Sequence, residues 1–148
     1  MPFFHQQGRG ELRRAYVEAW RRYRNGERLE PLQAQIAQLI AEHPEYHALL
    51  DADAAAVEAE FLPEAGVQNP FLHLGLHLTI REQVSTDRPP GIRALHASLT
   101  LRLGSVHEAE HRMLEVLGEL LWESQRAGTM PDEMLYLERL KNLADSTG

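Results

Sequence analysis

Cysteine is absent from the 148 residues. Disulfides, thiolate metal ligands and cysteine nucleophiles are therefore excluded. No stretch approaches the roughly 18 continuous apolar residues of a membrane span. The opening Met1-Pro2-Phe3-Phe4-His5 has no basic region followed by a long apolar one, so it does not read as a secretory signal. A basic excess is also missing. Fifteen Lys and Arg face 22 Asp and Glu, for a formal net charge of -7. That balance argues against broad nucleic-acid binding, which needs a basic footprint. The one basic cluster, Arg13, Arg14, Arg21, Arg22 and Arg24, is interleaved with Glu11 and Glu18 and reads as a solvated helix face. No G-x-S-x-G, Walker loop or dinucleotide fingerprint occurs. The expectation is one cytoplasmic domain of 148 residues, with its core over about residues 10–143 and no membrane or nucleic-acid partner. Self-association and the identity of any small-molecule substrate are left open.

Histidine is plentiful by contrast. There are eight, and six fall into three pairs at i and i+4: His43 with His47, His73 with His77, and His107 with His111.

Nearly every periodic stretch has a helical period. Leu12, Tyr16, Ala19, Trp20 and Tyr23 mark a helix over about 10–23, ended by Asn25-Gly26. A second starts at Pro31 with the stripe Leu32, Ile36, Leu39 and Ile40. Pro44 interrupts or restarts it, giving a segment from Pro44 to about Glu60, with a loop over 63–68. Asn69 caps a helix that runs to about Asp87, before Arg88-Pro89-Pro90-Gly91 breaks the chain. Another helix runs to Leu103. Ser105 and Glu108 form a capping-box pattern for the next, which ends at Ala127-Gly128. Pro131-Asp132-Glu133 opens a final short one. The class is all-α, a helix bundle of four core helices with additional short ones.

Helical residues advance about 100° each, so i and i+4 share a face. In "NPFLHLGLH", His73 and His77 lie inside the stripe that holds Leu76 and Ile80, with Glu82 almost opposite. An imidazole placed there must find partners, because a buried unpaired polar group costs about 1–3 kcal/mol. In "HEAEH", Glu110 projects near the centre of the stripe Leu103, Val106, Leu114, Leu117 and Leu121, with His107 and His111 on its flank. A carboxylate there is expensive unless it is paired or bound to metal. In "HPEYH", Pro44 makes His43 a cap or loop residue whose direction the pattern does not give. His47 lies at the edge of the stripe Tyr46, Leu50 and Val57, and Asp51 is four residues further on the same side.

Three helical segments thus offer imidazoles and carboxylates toward one interior. The ligand candidates are His73, His77, His107, His111 and Glu110, then His47 and Asp51, then His43. Imidazole suits zinc, iron, copper and nickel, and bundle cores hold such sites between facing helices. Iron or zinc is the expected metal, with chemistry on metal-activated oxygen or water if there is chemistry. Binding would weaken below about pH 6.5, where imidazole takes up protons. The rival reading is a non-enzymatic helical interaction protein whose histidines and carboxylates satisfy one another.

The placing of these pairs resembles hemerythrin-like di-iron bundles, and also the three-histidine bundles of DinB-type metal hydrolases and thiol transferases. The first helix has no histidine, so a single-metal site of three or four ligands stands beside a di-iron one. At the level of motifs, "HPEYH", "NPFLHLGLH", Glu82-Gln83, "HEAEH" and "LWESQR" resemble a small bacterial family of uncharacterised proteins over about residues 15–140. That resemblance implies no activity, but it makes the histidine motifs part of a family signature.

Overall fold

A computed structural model describes residues 9–52 and 69–146. The described residues are all-α, with no strand among them. The helices are α1 (Arg9–Arg24), α2 (Pro31–Ala41), a 3-10 turn (Pro44–Tyr46), α3 (His47–Asp51), α4 (Pro70–Thr86), α5 (Ile92–Leu103), α6 (Val106–Ala127) and α7 (Glu133–Ser146). The chain divides into two compact units, the first ending at Leu78 and the second beginning at Thr79. The expected continuation of the Pro44 segment to Glu60 and the loop over 63–68 lie outside the described residues.

In the first unit, α1 packs on α2 and α3. Its core joins Tyr16, Val17, Ala19 and Trp20 from α1 to Ile36, Leu39 and Ile40 from α2, Leu50 from α3, and Phe71 and Leu74 from α4. The 3.6-residue period of α1 carries three of these large side chains inward, each worth about 1.5–3 kcal/mol when fully buried. Tyr16 stacks on Phe71 at 6.1 Å, and burial pushes its phenol up to about 12. Leu32 and Tyr23, which the periodicity assigns to the stripes, are exposed instead. They stand near the start of α2 and the end of α1, where fewer neighbours can cover a side chain. The basic face of α1 is partly as expected. Glu18 accepts from both Arg21 and Arg22, and those guanidiniums hold its carboxyl down to about 2. Arg13 departs from the expectation, being buried with its guanidinium 4.8 Å from the centre of the Phe71 ring. That geometry is a cation–π contact.

In the second unit, α6 packs on α5 and α7, and α5 packs on α7. The buried face of α6 is Ala109, Glu110, Met113, Leu114, Leu117, Leu120 and Ser124. Val106, expected inside, is exposed at the first turn. Trp122 is exposed, with Arg126 over its ring. Ser105 caps α6 by accepting the Glu108 amide, and Gly128 ends it in the left-handed conformation that favours glycine. The final helix starts two residues later than Pro131: Asp132 accepts the amides of Met134 and Leu135, so it is the cap rather than a helical residue. A bidentate Arg139–Glu123 pair at 2.9 Å ties α7 to α6. The Tyr136 hydroxyl donates to Gln83 at 2.7 Å, while burial raises that phenol well above its ordinary range.

No helix among the described residues is long and apolar enough to cross a membrane.

Candidate metal centre

The histidines of the first unit come from two kinds of backbone. His73 and His77 stand one turn apart on α4. That helix is begun by Asn69, whose side-chain oxygen accepts the amides of Phe71 at 2.9 Å and Leu72 at 3.3 Å. Pro70, next to the cap, loses nothing by lacking an amide hydrogen at a helix start. His43 has no helix to hold it. It caps the 3-10 turn at φ -122°, ψ 72°, with Pro44 fixing the backbone after it.

The three rings converge. His43 lies 4.8 Å from His77 and 5.3 Å from His73 between ring centres, and His73 lies 4.6 Å from His77. All three pairs meet edge to face. Each ring offers one nitrogen, and these nitrogens lie within 4.8 Å of one another. The Nε2 atoms of His73 and His77 are 3.0 Å apart. All three side chains are buried, at 3%, 8% and 1% exposure for His43, His73 and His77.

His43 is oriented by its backbone surroundings. Its Nδ1 lies 2.8 Å from the Leu39 carbonyl, which can only accept, so Nδ1 carries the proton. The lone pair is then on Nε2. Metal-binding histidines commonly use a carbonyl in this way to fix the tautomer and the ring direction. Tyr46 adds a second constraint, its ring parallel to that of His43 (2° between planes, 5.6 Å between centres) and edge-on to His73 at 6.0 Å. Burial, helped by the charge of Glu45, raises the Tyr46 phenol.

The other candidate ligands have different neighbours. The His47 Nε2 lies 2.8 Å from the Ile40 carbonyl, so that nitrogen is the donor, and the ring lies on Trp20 at 4.5 Å. Asp51 takes the Trp20 indole N–H at 2.8 Å on one oxygen and Arg24 at 3.2 Å on the other. The two residues therefore share a neighbour, Trp20. Glu110 is buried as the pattern requires, and its partner is Arg81, whose Nε lies 3.0 and 3.3 Å from the two carboxylate oxygens. His107 is exposed and His111 half-buried; their rings are 4.2 Å apart, and the His111 Nδ1 lies 3.1 Å from the His107 carbonyl. Among the described residues, no carboxylate joins the convergent group.

Tyr46 is the neighbour that helical periodicity conceals, since a wheel puts it in the apolar stripe with Leu50. Its signal is its spacing, three residues after a histidine that caps a turn. A 3-10 turn brings i and i+3 over one another.

The donor set can be weighed against a metal. Two nitrogens on a tetrahedral zinc at roughly 2.0–2.1 Å stand about 3.3 Å apart, close to the His73–His77 separation. Uncharged nitrogen donors suit zinc, iron, copper and nickel, while magnesium and calcium call for oxygen. The residues fit a borderline transition metal.

Fold and cluster together define an all-α protein with buried imidazoles gathered at one point. Residues 8–142 match the family described as Domain of unknown function (DUF1841), and the chain belongs to that family. No curated protein and no solved structure matches it.

Proposed function

We propose that this protein binds a transition-metal ion through His43, His73 and His77. The observation that carries the proposal is the convergence of three buried imidazoles, one of them with its tautomer set by the Leu39 carbonyl. Zinc is the first candidate and iron the second, because the convergent group is all nitrogen. Bound zinc or iron would act as a Lewis acid on water or oxygen. The protein's part is to supply uncharged donors at fixed spacing and to keep bulk water from them. The test is elemental analysis, with an optical spectrum, of protein expressed in metal-supplemented medium. About one transition-metal ion per chain is the expected result; none after mild purification rejects the reading. The sequence also offers His111 as a ligand. Metal titration of His111→Ala decides its part: a loss of tenfold or more adds it to the set, and an unchanged Kd leaves the three.

One observation favours a second reading. The 3.0 Å separation of the His73 and His77 Nε2 atoms is also a hydrogen bond, with one ring as donor and the other as acceptor. A buried histidine network would then be structural, and the protein a helical interaction module. This reading expects no metal uptake and a melting temperature unmoved by added zinc. Ligand binding to the folded state alone must raise it.

A further inference from the structure

The three histidines differ in how firmly the backbone holds them. His73 and His77 share one face of α4, so helix geometry fixes their spacing. His43 sits between α2 and the 3-10 turn, with a backbone conformation outside the helical region. A ligand on such a segment must be held by its surroundings, or its ring samples several orientations and loses entropy on binding.

Two contacts do the holding. The Leu39 carbonyl fixes the Nδ1 end of the ring. Tyr46 covers the ring face, and the parallel stack at 5.6 Å restricts rotation about the remaining side-chain bond. The Tyr46 amide also donates to the His43 carbonyl at 2.9 Å, closing the turn that brings the two rings together. The same tyrosine ring meets His73 edge-on, so it touches two rings of the cluster at once. Tyr46 is only half-buried and packs beside the first unit's apolar core, which makes it replaceable without emptying that core.

We infer that Tyr46 is a positioning residue of the metal site, acting through its ring face and not through its hydroxyl. The inference rests on the metal-binding reading above. It divides the work of the "HPEYH" stretch among three residues. His43 is the ligand, Pro44 sets the turn, and Tyr46 holds the ligand in place.

The test uses Co(II) alone, added to the full chain after removal of any resident metal, with the visible ligand-field spectrum and a chelator-competition Kd as readouts. Tyr46→Phe keeps the ring and is expected to bind within about twofold of the unaltered protein. Tyr46→Leu removes the flat face and is expected to weaken binding by about 10–100-fold, the range for removing an outer partner of a metal ligand. Its spectrum should also broaden as His43 loses its single orientation. Tyr46→Met serves as a second ring-less variant should the leucine variant fold poorly. A ring-less variant with a lower melting temperature but unchanged Kd and spectrum overturns the inference, because the ring would then be structural only. Tyr46→Phe losing as much affinity as Tyr46→Leu also overturns it, because the hydroxyl would then be the active part. Failure of the unaltered protein to take up Co(II) is a different result, and it rejects the metal reading itself.

Discussion

Two histidine pairs in this chain have the same i, i+4 spacing and different surroundings. His73 and His77 on α4 are buried, with Nε2 atoms 3.0 Å apart and the His43 ring against both. His107 and His111 stand at the first turns of α6, the first exposed and the second half-buried, with rings 4.2 Å apart. In the second pair, one ring nitrogen turns back to the helix's own carbonyl. Spacing places two rings on one face in both cases. Burial decides the rest: Leu74, Leu76 and Ile80 beside His73 and His77 are buried, whereas Val106 beside His107 is exposed. An i, i+4 histidine pair is therefore a statement about direction, and its chemistry depends on what covers it.

The largest expected effect breaks the pairs apart. His73→Leu and His77→Leu keep apolar bulk at buried positions and remove a donor. Each should weaken zinc or cobalt binding by more than about 100-fold, since losing even an outer partner costs about 10–100-fold. His107→Ala should leave Kd within about twofold. Chelator competition measures both. Equal losses in the two pairs would erase the distinction drawn from burial.

Next in size is the buried carboxylate beside the second pair. Glu110 and Arg81 are joined by two contacts, with the carboxylate nearly covered and the arginine one-third exposed. Removing one partner of a fully buried pair costs about 3–5 kcal/mol. Water reaching Arg81 lowers that to about 2 kcal/mol for Glu110→Ala, read by urea unfolding. Glu110→Gln should leave metal affinity unchanged if the carboxylate serves Arg81 alone. A tenfold loss of affinity would return it to the ligand set.

These residues also show what was legible in the sequence. The helix starts at Asn69 and Ser105 were readable because a cap is a local event, decided by one side chain and the next three amides. The inward direction of His73 and His77 followed from period alone. So did the need of Glu110 for a partner, but not the partner's name, because Arg81 lies 29 residues away. His43 was unreadable for a related reason. Its direction is set by the Leu39 carbonyl and the Tyr46 ring, and a wheel does not apply to a residue outside a helix. For His47 and Asp51 the shared side was correctly placed, yet Trp20 on α1 supplies a partner to each.

A smaller effect tests whether the helices carrying the two pairs are begun alike. Asn69→Ala and Ser105→Ala each remove a side-chain acceptor from two and one helix amides respectively. Each should cost about 1 kcal/mol in urea unfolding, with Asn69 at the higher end. A near-zero cost at Asn69 alone would mean that packing, and not the cap, defines the start of the helix that bears His73 and His77.

The smallest effect separates the units by pH. Asp87, in the second unit, accepts the backbone amides of Arg93 and Gly91, and these bonds with the charges of Arg93 and Arg88 hold its carboxyl below the ordinary value. A carboxylate with a depressed folded-state pKa stabilises the fold above the unfolded value of about 3.9, and that contribution disappears as pH falls through the folded value. Asp87→Asn keeps a side chain that tolerates the positive φ of 52° found there, so it isolates the charge. The variant should be slightly less stable than the unaltered protein at pH 7, and the gap should close only below about pH 4. Metal binding by His73 and His77 should fail at higher pH, near 6, because protons compete for imidazole nitrogen. Following helicity and bound cobalt in one acid titration separates the windows: cobalt release should come first, with the fold intact. Release and unfolding at the same pH, unchanged in Asp87→Asn, would mean that the buried histidines hold the fold and the metal is incidental.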